Sequence, residues 1–257
     1  MRLFPLSAPQ GTGATTALRG EYPHSQFSPL HPVKTHPLIF VVLLGLISIA
    51  AIWASFRYDA PIRAAVVASQ GKNWKKTDDY QFHSKVRKYG DWPWLMLAGA
   101  IGILIAWKFR SREWMRIIAV AMIASTLAGL ICNMSRLTTG RTRPRESPKI
   151  EQGFYGPWNE GRLLIGQPAY NSFPSGHTAT AFGFAGVIFF ACPLIGLGAL
   201  ILAALVGCSS IAMGAHHLSD VVVSIIFSLA VSWFVWKWVR QNGDQAGRQL
   251  RVKLLRK

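Results

Sequence analysis

From Leu163 to Ser219 the chain runs for 57 residues without one formally charged side chain. Four further stretches are equally free of charge: Thr35 to Phe56, Trp92 to Trp107, Ile117 to Ser135 and Val221 to Trp236. Stripes of apolar residues at helical spacing would suit a soluble core, but uninterrupted runs of this length suit hydrocarbon, and each is long enough to be read as a membrane-spanning helix. Six spans result, because the stretch from Leu163 has room for two. The expected fold class is all-α: an integral membrane six-helix bundle, with the last four spans forming a four-helix catalytic core.

The charged residues support this reading by where they fall. Of 257 residues, 28 are Lys or Arg and 11 are Asp or Glu, giving +17. Such an excess in a soluble protein suggests nucleic acid. Here the charge lies between and beyond the apolar runs, and no nucleic-acid motif accompanies it, so no nucleic-acid partner is expected. Seven basic residues and one acid, Asp244, lie between Lys237 and Lys257, a pattern that attracts anionic lipid. Residues 1–34 are expected to be a mobile polar tail, 35–238 the membrane domain and 239–257 a basic C-terminal tail.

The expected spans run from about Pro37 to Phe56, Trp92 to Trp107, Met115 to Ser135, His177 to Cys192, a fifth ending near Met213, and Ser219 to Trp236. A tight Pro193 to Gly198 turn separates the fourth from the fifth. Arg57 to Asp91 reads as a long polar segment, in part interfacial helix. The basic link at Lys108, Arg110 and Arg112 belongs in the cytoplasm by the positive-inside rule. Both termini then lie inside, while the loop after Arg136 and the turn at His216 meet outside. Trp92, Trp94, Trp107, Trp233, Trp236 and Trp238 sit at run ends as interfacial anchors. Cys132, Cys192 and Cys208 lie within or beside apolar runs without ligand spacing, so they read as core residues; no metal and no cofactor motif is evident.

Polar residues at the span ends carry the chemistry. Asp220 is the sole acid between Glu160 and Asp244 and begins a span, where it is either a helix-capping acid or a functional group. His216 lies four residues earlier, so the two share a helical face. Asp220 can then accept from one ring nitrogen of His216 and leave the other nucleophilic. In Phe173-Pro174-Ser175-Gly176-His177, Ser175 and Gly176 open a helix start suited to an anion, with an ordinary N-cap as the alternative. Arg136, Arg141, Arg143 and Arg145 form a guanidinium cluster suited to phosphate oxygens, or else topology charge.

Together, Arg136-x6-Arg143-Pro144, Pro174-Ser175-Gly176-His177 and Ser209-Ser210-x5-His216-x3-Asp220 resemble the three ordered signatures of the type 2 phosphatidic acid phosphatase superfamily, membrane lipid phosphatases related to vanadium haloperoxidases. Tyr89-Gly90-Asp91-Trp92 also looks like its bacterial branch. The resemblance covers roughly Arg57 to Trp238. It implies metal-independent hydrolysis of a lipid phosphate or pyrophosphate at the outer face of a bacterial inner membrane. His216 would form a phosphohistidine, Asp220 would orient and charge-stabilise it, and His177 would protonate the leaving oxygen. Arg136, Arg143, Ser175 and the Gly176 amide would hold the phosphate.

Two positions depart from the signatures. Arg136 stands where the family has Lys, and Ser210 stands where it has Arg. The second departure leaves three readings open: another arginine (Arg141, Arg145 or Arg162) reaches the site, turnover is weakened, or the protein binds lipid phosphate without hydrolysing it. A lipid-to-lipid phosphotransferase is a further alternative, and a transporter a weaker one. The expected partners are a lipid phosphate substrate and membrane lipids. Oligomeric state is not readable from the sequence.

Overall fold

A computed structural model describes residues 37–147 and 149–255, with side-chain surroundings given for positions 38 to 243. The expected mobile tail at residues 1–34 lies outside the described residues, as do the side chains of the basic tail from 244 onward. Seven helices make up most of the described chain: α1 (Pro37–Ser69), α2 (Asp78–Lys88), α3 (Trp92–Lys108), α4 (Arg112–Thr139), α5 (Gly176–Ala191), α6 (Pro193–Ala212) and α7 (Leu218–Leu255). A hairpin of two-residue strands, β1 (Trp158–Asn159) and β2 (Arg162–Leu163), is the sole addition of sheet among the described residues.

Four helices, α1, α4, α6 and α7, are long and apolar enough to cross a membrane. The third expected span is α4, which starts at Arg112. The second arrives as a pair, α2 and α3, bent by 57°. The fourth is α5, whose 16 residues rise only about 24 Å. The count of six is therefore not reproduced as six full-length spans.

Three boundaries differ from the sequence reading. First, α1 continues past Phe56 through Pro61 to Ser69, because Asp59 is drawn into the protein interior by partners described below. Second, α6 starts at Pro193 itself, so Cys192 alone separates it from α5 and the expected turn through Gly198 is helix. Proline fits there because the first turn of a helix needs no N–H from it. Third, α7 runs well beyond Trp236, to Leu255.

At the centre lies α5, packed against α4, α6 and α7. Its small residues permit close approach. A Cβ on Gly183 would stand 2.9 Å from Ser125 Cα of α4, and one on Gly186 would stand 2.8 Å from Ser232 Oγ of α7. Hydroxyls then bridge the helices: Ser125 Oγ donates to Thr180 O at 2.9 Å, and Ser232 Oγ to Gly183 O at 2.9 Å. Ile117, Val120, Ala121, Ala124, Val187 and Trp236 form an apolar cluster beside them. Trp236 is thus core and not an interfacial anchor, while Trp94, Trp107 and Trp238 are exposed as expected. Cys132 is buried, but Cys208 is exposed and so is not a core residue.

Outward, α1 presents Leu38, Phe40, Val41, Leu43, Leu46 and further large apolar side chains. A face this apolar suits lipid. Two neighbouring contacts set the site: α2 rests on α6, and α1 rests on α7.

Candidate active site

The loop between α4 and α5 is folded back on itself by backbone hydrogen bonds. Gly140 ends α4 in the left-handed region at φ +53°, where glycine is favoured. Thr142 N–H then donates to Gly153 O, Arg143 N–H to Ala169 O, and Ser172 N–H to Arg141 O. This pairing holds Arg141 and Arg143 against Ser172, next to the start of α5. The turn after α6 is anchored from the same loop, since Arg145 N–H donates to the carbonyl of Gly214 at 3.0 Å. Gly214, at φ +61°, allows that reversal and places His216 beneath the loop.

His216 is 1% exposed. Its Nδ1 lies 2.7 Å from the Ser172 carbonyl, to which it donates, and 3.7 Å from Asp220 Oδ2. The orienting acceptor for the ring is therefore a backbone carbonyl first, with the Asp220 carboxylate farther away than the sequence reading placed it. Asp220 is occupied otherwise: Oδ2 accepts from Ser172 Oγ at 2.6 Å and from His217 N–H at 2.7 Å, while Oδ1 pairs with Arg141. Because Ser172 holds both, imidazole and carboxylate are locked into one unit. His216 Nε2 is left buried with no hydrogen-bond partner among the described residues. Burial is the main cause that pushes the imidazole down to about 3, with Arg136 and Arg143 adding to it and Asp220 opposing. A neutral ring with one nitrogen donating and the other free is a nucleophile at neutral pH.

Arg136 lies at the last turn of α4. Its Nε donates to Pro174 O at 2.9 Å, and a Cβ on Gly176 would fall 2.8 Å from its Nη2, so the guanidinium lies flat across the start of α5. Nη2 has no partner among the described residues. Arg143 Nη2 donates to Asn171 O at 3.2 Å, and its Nε is likewise buried and unpartnered. Burial, then the charges of Arg145, Arg136 and Arg87, bring Arg143 down to about 10, still protonated at neutral pH. Buried N–H groups without acceptors are costly unless something anionic meets them.

Ser175 is fully buried; its hydroxyl pairs with Thr178 Oγ1 at 2.9 Å. Its N–H donates to Ser224 Oγ at 2.8 Å. His177, in the first turn of α5, donates from Nε2 to Asp91 Oδ1 at 2.5 Å. A pocket of about 160 Å³ opens beside them, lined by Asp91, Asn133, Arg136, Gly176 and His177 among others.

Of the alternative arginines, Arg141 does not face this pocket. It is 6% exposed and spans two carboxylates, Asp59 Oδ2 of α1 at 2.6 Å and Asp220. Phe56, Phe154 and Phe173 surround its guanidinium, with ring centroids 5.2, 4.7 and 5.8 Å away. Arg145 is exposed and paired with Glu146 at 3.4 Å. Arg162 sits exposed on β2. Ser210 is fully buried, its hydroxyl donating to Val206 O within α6.

Four residues were not singled out in the sequence: Ser172, Asp59, Asp91 and Arg87. Asp59 accepts from Ser219 N–H at 2.9 Å as well as from Arg141; a lone acid following an apolar run, the signal used for Asp220, would have flagged it. Asp91 stands in a quoted motif, yet its pairing with His177 depends on the bend between α2 and α3. Arg87 was hidden in the polar segment. Among the described residues no group of three or more His, Cys, Asp or Glu is placed to hold a metal ion.

An all-α, multi-pass membrane protein with a basic, histidine-bearing pocket at the ends of its helices is the class that this fold and site define. Residues 114–244 match the PAP2 superfamily, and the chain belongs to it. It is 24% identical over 216 residues to the lipid A 1-phosphatase of Rhizobium johnstonii, covering 79% of each chain. It is 28% identical over 107 residues to that of Rhizobium etli, covering 42% of each. Its fold is similar to the crystal structure of a transmembrane PAP2-type phosphatidylglycerolphosphate phosphatase from Bacillus subtilis. That likeness has a TM-score of 0.51 at 19% identity and covers 80% of this chain and 96% of the other.

Proposed function

We propose that this chain, a membrane lipid phosphatase of the PAP2 superfamily, removes a phosphate monoester from a lipid headgroup through a phosphohistidine. The reading rests on one observation: His216 Nε2 is buried without a partner among the described residues, within electrostatic reach of Arg136 and Arg143, each of which carries a buried guanidinium nitrogen that is likewise unpartnered. The Nε2 lone pair attacks phosphorus, the bond to the lipid oxygen breaks, and His177, in its imidazolium form with one N–H held by Asp91, gives the proton of its other ring nitrogen to that oxygen. Water then attacks the phosphorus, His177 recovers a proton from it, and the P–N bond breaks to release inorganic phosphate. Arg136 and Arg143 neutralise the equatorial oxygens in both steps, with Ser175 and the Gly176 amide at the helix start beside them. Asp220 opposes the positive charge that develops on His216, and its bonds to Ser172 and His217 fix the ring.

Both Rhizobium relatives are named lipid A 1-phosphatases, which makes lipid A the leading substrate here. Phosphatidylglycerol phosphate, phosphatidic acid and a polyprenyl pyrophosphate are the competitors. Six crossings are reached if the bent α2–α3 pair and the short α5 each count as one, with α4 to α7 as the catalytic core. Residues 35–238 then form the membrane domain and 239–257 a basic tail at the cytoplasmic face, and the site opens outward in the inner membrane.

The test is phosphate release from these four lipids in detergent with chelator present, for wild type and His216→Ala. Wild type should release phosphate fastest from lipid A, and His216→Ala should lose on the order of a thousandfold or more. Equal rates in the two proteins would defeat the nucleophile assignment, and trapping of acid-labile phosphate on His216 would separate hydrolase from binder. A lipid A preference that is absent would return the substrate choice to the competitors.

A further inference from the structure

The matched core, residues 114–244, places Arg136 at the pocket and Arg143 within electrostatic reach of it, while position 210 brings no charge, since Ser210 is buried and bonded within its own helix. A third guanidinium reaches this region from outside that core. On α2, His83 Nδ1 lies 3.1 Å from Ser209 Oγ of α6. Beyond the end of α2, a Cβ on Gly90 would stand 2.5 Å from Val206 Cγ1 and 2.7 Å from the His177 carbonyl. Arg87 lies four residues after His83 and three before Gly90, on the face that these two contacts press against α6 and α5. It is half-buried, and its Nε is buried with no hydrogen-bond partner among the described residues. Its charge lies within electrostatic reach of Arg136, Arg143, Arg145, Asp91 and His177.

Gathering these like charges without enough acid to balance them is unfavourable by itself. Asp91 is committed to His177 at 2.5 Å, and Glu146 to Arg145. An anion resolves the repulsion and satisfies the unpartnered N–H groups together. We infer that Arg87 is a phosphate-binding residue, donated by α2 across α6 to the transferring phosphoryl group. It thereby supplies from a neighbouring helix the positive charge that Ser210 does not. This inference rests on the pocket described above being the phosphatase site. The step it assists is unchanged: Arg87 gains and loses no proton, and it holds an equatorial oxygen as the P–O bond breaks and the P–N bond forms.

The test uses the full chain in detergent micelles with phosphatidic acid and lipid A as substrates and orthovanadate as the phosphate mimic. Arg87→Ala should lower kcat about a hundredfold or more and weaken inhibition by orthovanadate, with Arg87→Lys recovering part of both. Lys88→Ala, which alters an exposed neighbour, should match wild type. Should Arg87→Ala fail to survive in detergent, Arg87→Gln is read by the same criteria, since it removes the charge but keeps a polar chain. Rates within about threefold of wild type and unchanged orthovanadate inhibition would overturn the inference, provided His216→Ala is inactive in the same assay. Were His216→Ala active as well, the site reading itself would fall, and the role of Arg87 with it.

Discussion

Replacing Arg141 by Met tests how the site is held together, because Met keeps much of the alkyl volume while removing the charge and the N–H donors. In the native protein the guanidinium pairs with Asp59 at 2.6 Å and with Asp220, and donates to Ser219 Oγ at 2.7 Å. Removing it strands two carboxylates, one 7% and one 0% exposed. Breaking a buried pair costs about 3–5 kcal/mol, and the loss of three cation–π contacts adds to this. At roughly 2–4 °C per kcal/mol for a chain of this size, Arg141→Met should melt about 10 °C or more below wild type. Asp59→Asn in the same chain relieves one stranded charge and keeps an acceptor for Ser219 N–H, so the double variant should regain about 2 kcal/mol over the single. Melting followed by tryptophan fluorescence in detergent, with phosphate release measured in parallel, gives both readouts. An unchanged melt for Arg141→Met, or strictly additive losses in the double variant, would refute the idea that Arg141 is the counterion shared between α1 and α7.

Two further outcomes follow from the packing and the burial of charge. Gly183→Val should destabilise the bundle by about 1–3 kcal/mol, because its Cβ meets backbone of α4 at 2.9–3.0 Å. Gly45→Ala, where nothing lies within 4 Å, should be neutral or better; equal melting of the two variants would remove the close-packing argument. His216 is held neutral, down to about 3 against an ordinary value of 6.5, so between those values the unfolded chain binds the proton that the folded chain refuses. Its contribution to stability is therefore complete above about pH 6.5 and lost as pH falls toward 3, at up to ~1.4 kcal/mol per pH unit. Melting temperatures of wild type and His216→Gln across this range should converge at low pH; parallel curves would contradict the assignment.

The sequence made the chemistry more visible than the architecture. His216, Asp220, His177, Arg136 and Arg143 stand out because a polar group beside a long apolar run is expensive unless something uses it. The ordered spacing of three signatures then groups them into the one site proposed above. Residues whose role depends on tertiary packing were not visible in this way. Arg141 looks equivalent to Arg143 in the chain, yet Arg141 spans two buried carboxylates, whereas Arg143 donates to the Asn171 carbonyl and keeps a buried, unpartnered Nε. Asp59 carries the same signal as Asp220, but Arg57, Pro61 and Arg63 around it lower hydropathy and hide both its partners and the continuation of α1. The carbonyl that orients His216 belongs to Ser172, and no side-chain pattern announces a backbone acceptor. The short α5 read as an ordinary span because its apolar composition resembles that of its longer neighbours.

Asp59 and Asp91 both lie upstream of the stretch that matches the superfamily, residues 114–244, and each is bonded to a group inside it. A gene fragment opening at Trp114 would still encode all three signatures, but its product would lack both acids. Proteins grouped by the signatures alone can therefore differ in what neutralises the inner arginine and what holds the first histidine, and divergence among them should be sought in the helices that come before.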